Sequence, residues 1–284
     1  MVLFLLELKE MSSTPLSFIE RGVYNLYVPT PFYHMSLAEE LLKQSELINA
    51  IRQKLETYRC AFLLGNTVPD VQVFSGQKRE ETHFFTLPIL KGAHLAWKVF
   101  LKRYPELAEV NKLPQEQAVF VAGYLCHLLA DWYWMKEIYL PVFGPTCLWG
   151  TFRERLHLHN VLRTQLDLHA LATLSPGLGV CLAKVQPEGW LPFIEDKYVL
   201  EWRDFLASQL KPGVQPKTVD VFSERGRTSP EAFYDLLNSE ERMEKEVFVH
   251  LPRSRLEKTR QKALKESGQL LLKYWANSAN EGIL

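Results

Sequence analysis

Net charge is missing from this sequence: 33 Lys and Arg balance 33 Asp and Glu, and the pI is about 7.1. A broad nucleic-acid-binding surface needs a basic excess, so that class is set aside, leaving room only for a local basic pocket. Paired cysteine spacing is missing too. Cys60, Cys126, Cys147 and Cys181 form no CxxC motif, and three of them sit beside apolar neighbours. Those three read as small core residues, and nothing suggests a disulfide framework, which implies a reducing, cytoplasmic location. The opening MVLFLLELKEM lacks a basic leader, a long apolar core and a small-residue cleavage site, so no signal peptide is legible. Residues 1–28 read as an N-terminal extension, with Met11 as an alternative start. An uncharged run long enough to span a bilayer is also lacking. The longest apolar stretch, Gln117 to Leu140, contains His127, Asp131, Lys136 and Glu137, and charges inside a span are costly. It reads as a core helix with no transmembrane segment.

What is present is a helical pattern of ordinary composition, with 47% hydrophobic and 23% charged residues. Convincing period-two strands and internal repeats are absent, and the chain reads as all-α, a multi-helix bundle. Helices are expected from Ser36 to near Ile48, from Asn49 to Leu64 with Gly65 as the stop, and from Pro88 to Tyr104. Further helices are expected over the central apolar run opened by Pro114, and over 151–173, 191–210, 230–237 and 253–276. The stretch GNTVPDVQVFSGQKREETHFF reads as a loop, and residues 211–230, rich in turn formers and charge, as a flexible one. Residues 29–180 would form a metal-binding helical core, with residues 181–284 packed on it. On the 151–173 helix, Arg153, Arg155 and Arg163 are expected to be exposed or ligand-facing.

The chemistry concentrates in GYLCHLLADWYW, residues 123–134. His127 and Asp131 are four apart, so a helix stacks them on one face, where imidazole and carboxylate can meet one ion. Burying that carboxylate among Leu125, Cys126, Leu128 and Leu129 costs several kcal/mol unless a cation or hydrogen-bond donors compensate; the alternative to a metal is a core histidine hydrogen-bonded to Asp131. Upstream, His34 precedes the expected helix, Asp70 follows Pro69, and His83 follows Thr82. Histidine and aspartate suit zinc, and two ions can clamp a displacement at phosphorus. The adjacent Trp132, Tyr133 and Trp134 read as core filling ahead of a cation-binding pocket.

Four ordered segments, PFYHMSLAEELL, LLGNTVPDVQVF, REETHFFTLP and GYLCHLLADWYW, resemble the zinc-dependent phospholipase C family, whose wider kin include glycosylphosphatidylinositol-specific phospholipase D and single-strand-specific nucleases. The resemblance implies an all-α bundle holding two or three zinc ions in a cleft between helices. It implies that His83, His127 and Asp131 share one zinc, that Asp131 reaches a second held by His34, and that Asp70 sits beside the metal-bound water as ligand or general base. The family's remaining zinc uses a histidine shortly after the HxxxD helix, where this chain has Met135, Lys136 and Glu137. Glu137 can replace it, or His159 with Asp167, eight apart on the next helix and sharing a face. Arg79, four before His83, is a candidate for gripping a phosphate oxygen or else a solvated charge. The implied activity is hydrolysis of a phosphodiester, with a phospholipid headgroup as the family's substrate. A nucleotide phosphomonoesterase or nuclease, and a non-catalytic helical metal-binding protein, are the alternatives.

Overall fold

Pro31 opens the first helix of the computed structural model, which describes residues 30–276 apart from 46, 88, 90–92 and 227. The extension read at 1–28 lies outside the described residues. Helix α1 (Pro31–Lys43) starts earlier than the Ser36 expected, because proline at the first turn gives up an N–H that no helix would use. Thr30 makes no side-chain cap; Asp167 accepts the Phe32 N–H at 3.1 Å instead. His34 thus lies in the first turn of α1 and not ahead of it.

Next come α2 (Asn49–Thr57) and α3 (Arg59–Gly65), one expected helix divided at Tyr58, whose φ of −113° and ψ of 38° leave the helical region. The stretch read as a loop is built of short turns: a 3-10 turn at Val68–Val71, then α4 (Gln72–Ser75) and α5 (Arg79–His83). Pro69 supplies a helical φ to the first, and Gly76 ends α4 at φ 71°. Phe84 closes α5 at φ 59°, a left-handed conformation costing a β-carbon-bearing residue about 1–2 kcal/mol. Its ring lies among Phe100, Tyr104 and Phe193, and that burial offsets the strain. Helix α6 (Ala96–Arg103) is shorter than the span expected from Pro88, part of which falls on residues outside the description.

Helix α7 (Gln115–Tyr133) runs through the core, with Ala118 to Trp132 buried throughout. At Trp134 the helix widens into a π-helical stretch, Trp134–Phe143, so the expected single helix changes geometry there. α3 crosses α7 closely because two glycines face each other's backbone. A β-carbon at Gly65 would collide with the Phe120 carbonyl, and one at Gly123 with the Phe62 carbonyl while lying 2.9 Å from the Asn66 nitrogen. α3 ends at Gly65 as expected, and the missing side chain there also serves the close approach to α7.

The remainder comprises α8 (Phe152–Thr173), α9 (Leu178–Leu182), α10 (Asp196–Gln209), α11 (Thr218–Gly226), α12 (Pro230–Leu237), α13 (Glu240–Arg242) and α14 (Arg253–Ala276). Thr151 and Glu154 form a capping box that starts α8. α8 packs on α1, and α14 packs on α7. Among the described residues no strand forms, and no helix is long and apolar enough to cross a membrane.

Three readings change. Residues 218–226, read as part of a flexible loop, form α11 because Val219 and Phe222 reach the core. Arg155 and Arg163 are buried: Arg155 donates to the carbonyls of Trp149 and Gly150, and Arg163 lies over the Phe222 ring. Cys60 and Cys181 form a disulfide, which corrects the expectation that the cysteines build no disulfide framework. They lie 121 residues apart in sequence, where no local spacing rule reaches, yet folding brings their α-carbons to 5.4 Å.

Candidate metal centre

Six side chains converge where α1, the 68–71 turn, α5 and α7 meet: His34, Asp70, Arg79, His83, His127 and Asp131. None is more than 3% exposed. α7 stacks His127 and Asp131 one turn apart, and α5 does the same with Arg79 and His83. The short turn after α3 presents Asp70, held in place where its N–H donates to the Thr67 carbonyl.

Nearby backbone and hydroxyl groups set the imidazole tautomers. His127 Nδ1 lies 2.8 Å from the Asn66 carbonyl oxygen, which can only accept, so this nitrogen carries the proton and a neutral ring keeps its lone pair on Nε2. His83 Nδ1 is 2.9 Å from Thr82 Oγ1, leaving His83 Nε2 directed at the cluster. His34 stacks on His127 with centroids 3.9 Å apart and an interplanar angle of 17°.

Several of the inward-facing nitrogens and oxygens are spaced as ligands of one zinc ion are. Zinc bonds to nitrogen and carboxylate oxygen of about 2.0–2.1 Å place tetrahedral donors about 3.3–3.4 Å apart. His83 Nε2 lies 3.3 Å from Asp70 Oδ1, 3.4 Å from Asp131 Oδ2 and 3.4 Å from His127 Nε2, and His127 Nε2 is 3.6 Å from Asp131 Oδ2. On the other side, His34 Nε2 is 3.3 Å from Asp131 Oδ1, and among the described residues neither of these two buried atoms has a hydrogen-bond partner. Two overlapping sets, His34–His127–Asp131 and Asp70–His83–His127, have donor atoms close enough to hold an ion. The residues present therefore fit zinc.

Electrostatics agree that the cluster attracts positive charge. Burial alone would raise the Asp131 carboxyl, but His127, His34 and Arg79 outweigh it and hold the group well below the usual carboxylate range. Asp70 is likewise lowered despite burial, chiefly by His83 and His127. Burial and the Arg79 charge push His83 down to about 4, so it is neutral at neutral pH and can ligate. Asp131 draws His127 the other way, above its ordinary value in spite of desolvation.

The remaining sequence candidates are engaged elsewhere. His159 is buried with its Nε2 accepting from Trp134 Nε1 at 3.0 Å, beside the rings of Tyr139 and Phe143. Asp167 caps the start of α1 through Phe32 and accepts from Thr218 Oγ1 at 2.5 Å. Glu137 pairs with Lys262 at 3.0 Å on the surface. None of the three belongs to either set of candidate ligands among the described residues. α8 presents His159 to an aromatic wall and Asp167 to α1. Arg79, expected as either a phosphate grip or a solvated charge, is buried and donates to Asp131 Oδ2 at 2.7 Å over the face of Phe85. Trp132 and Trp134 are core, as expected. Sequence reasoning missed Asn66, whose contribution is a backbone carbonyl, and Thr82, whose only signal was its place beside His83.

Residues 33–134 match the model of the family described as zinc dependent phospholipase C. The match begins one residue before His34 and ends three after Asp131, so it contains all six converging side chains and excludes His159 and Asp167. No curated protein and no solved structure matches the chain.

Proposed function

We infer, for a chain whose residues 33–134 match the zinc-dependent phospholipase C family model, that the buried cluster is a zinc centre for hydrolysis of a phosphodiester. The observation that supports this most directly is that His83 Nε2 lies 3.3–3.4 Å from donor atoms of Asp70, His127 and Asp131, the spacing of ligands around one zinc. Zinc bound there supplies a Lewis acid for phosphoryl oxygens and lowers the pKa of a bound water towards about 7. The chain's own residues do the rest. His83, His127 and Asp131 hold the ion, with the Asn66 carbonyl and Thr82 hydroxyl fixing the two rings. Asp70 either completes that set or takes the proton of the attacking water as general base. His34 and Asp131 Oδ1 face each other at the second position. A phospholipid headgroup is the substrate the family suggests, with a nucleotide phosphoester as the alternative. The Cys60–Cys181 disulfide favours an oxidising compartment over the cytoplasm read from the sequence.

One observation favours a second reading, a helical protein whose metal is structural. A catalytic zinc keeps a position open to substrate, and here packing covers every member of the cluster.

Asp70→Asn separates the two. As a base, Asp70 contributes about 10²–10⁴-fold to rate, so the variant should keep its zinc and lose that much turnover of bis(p-nitrophenyl) phosphate. Wild-type protein that retains zinc but turns over no lipid, nucleotide or aryl phosphoester establishes the structural reading instead.

A further inference from the structure

The guanidinium of Arg79 occupies an unusual place for a cation beside a metal centre. It is 3% exposed, lies 2.7 Å from Asp131 Oδ2 and covers Phe85 at 4.5 Å. Among the described residues its Nε and Nη1 are buried without a hydrogen-bond partner, and the contact with Asp131 is the one hydrogen bond that compensates its burial. We propose that Arg79 is the fixed cation of this centre and limits it to one tightly held divalent ion, where the family resemblance implies two or three. This rests on the reading of the cluster as a zinc site.

Charge is the first argument. With the imidazoles neutral, as ligands must be, the cluster holds two carboxylates, Asp70 and Asp131, against one guanidinium, a single net negative charge. One divalent ion turns this into a single net positive charge. A second would raise the net charge of this buried cluster to plus three. Like charges within a few ångströms repel strongly at the low effective dielectric of an interior, and Arg79 cannot shed its proton to relieve them.

His127 supplies the second argument independently. Both sets of candidate ligands include it, yet Nδ1 is committed to the Asn66 carbonyl, which leaves only the Nε2 lone pair. One imidazole lone pair binds one ion. When His127 completes the set with Asp70, His83 and Asp131, the opposite position retains His34 and Asp131 Oδ1 among the described residues. Two donors beside a buried guanidinium make a weak half-site. Arg79 thus acts on Asp131 as a positioning residue: it anchors Oδ2 and opposes the second charge.

The test is zinc stoichiometry, which needs no turnover. Full-length protein is stripped with a chelator, reloaded with zinc sulfate, desalted and assayed by elemental analysis, and further zinc is then titrated by calorimetry. The wild type should retain one ion per chain and bind a second weakly. Arg79→Gln, or Arg79→Met should the glutamine variant not fold, should bind the second ion about tenfold more tightly or better, while Arg79→Lys, which keeps the charge, should resemble the wild type. Two or more ions retained by the wild type overturns the proposal whether or not any variant folds, as does a second affinity that is equal in Arg79→Lys and in the neutral variant. No zinc retained by the wild type removes the metal reading itself, and this inference with it.

Discussion

The ring of His127 is clamped by the carbonyl oxygen of Asn66, 2.8 Å from Nδ1 and contributed from just beyond the end of α3. That contact depends on the close crossing of α3 and α7, so helix packing and ligand orientation are one problem in this protein. A β-carbon on Gly123 would meet both the Phe62 carbonyl and the Asn66 nitrogen. Gly123→Ala should therefore push the helices apart, lower stability by about 1–3 kcal/mol through overpacking and weaken zinc binding together. Denaturant melts and zinc titration of the same sample check this. A stability loss with unchanged zinc affinity would separate the two effects and count against the clamp.

His127 and Asp131 are the residues the centre can least spare. Asp131→Asn removes the one carboxylate that, among the described residues, is hydrogen-bonded to the buried Arg79 guanidinium and should cost about 3–5 kcal/mol, as breaking buried ion pairs does. His127→Ala should abolish tight zinc binding while leaving that pair in place, with the smaller stability loss. Elemental analysis and thermal melts distinguish the outcomes, and full zinc content in both variants is the result that contradicts the proposed ligands.

Asp167 sets up a pH dependence outside the centre. Burial raises its carboxyl to about 6, against the hydrogen bonds from Thr218 and the start of α1 that pull it down. The unfolded chain's carboxyl titrates near 4, so the folded state binds the proton more tightly. Stability from this group is full below about pH 4, falls as pH rises towards about 6, and then levels, a span of roughly 3 kcal/mol. Asp167→Asn should flatten that part of the stability–pH curve. Urea melts between those pH values are the measurement, and an unchanged slope would falsify the assignment.

The Cys60–Cys181 disulfide makes a counting prediction. Denatured, unreduced protein should show the two thiols of Cys126 and Cys147, and reduced protein all four. Closing a loop of this length stabilises by about 4–5 kcal/mol on the chain-entropy account, so reductant or Cys60→Ser should lower the melting temperature markedly. Four thiols before reduction, or an unchanged melt after it, would argue against the bridge.

Sequence alone determined the helical class, because apolar periodicity with Pro and Gly punctuation is a local property, and the bounds of α12 and α14 follow it closely. It determined the His127–Asp131 face as well, since a spacing of four on a helix is geometry that needs no other part of the chain. The four ordered segments were enough to name the family that residues 33–134 match. Only tertiary structure decided what lies across from those residues. Arg79 reads as either a phosphate grip or a solvated charge in QKREE, and becomes a buried partner of Asp131 because α5 packs against α7. His159 and Asp167 share a helical face as ligands would, but α8 turns one to Trp134 and the other to Phe32. Cys60 meets Cys181 across 121 residues. Such relations join elements distant in the chain; their energies depend on burial and on which partner arrives, and neither is written in local spacing.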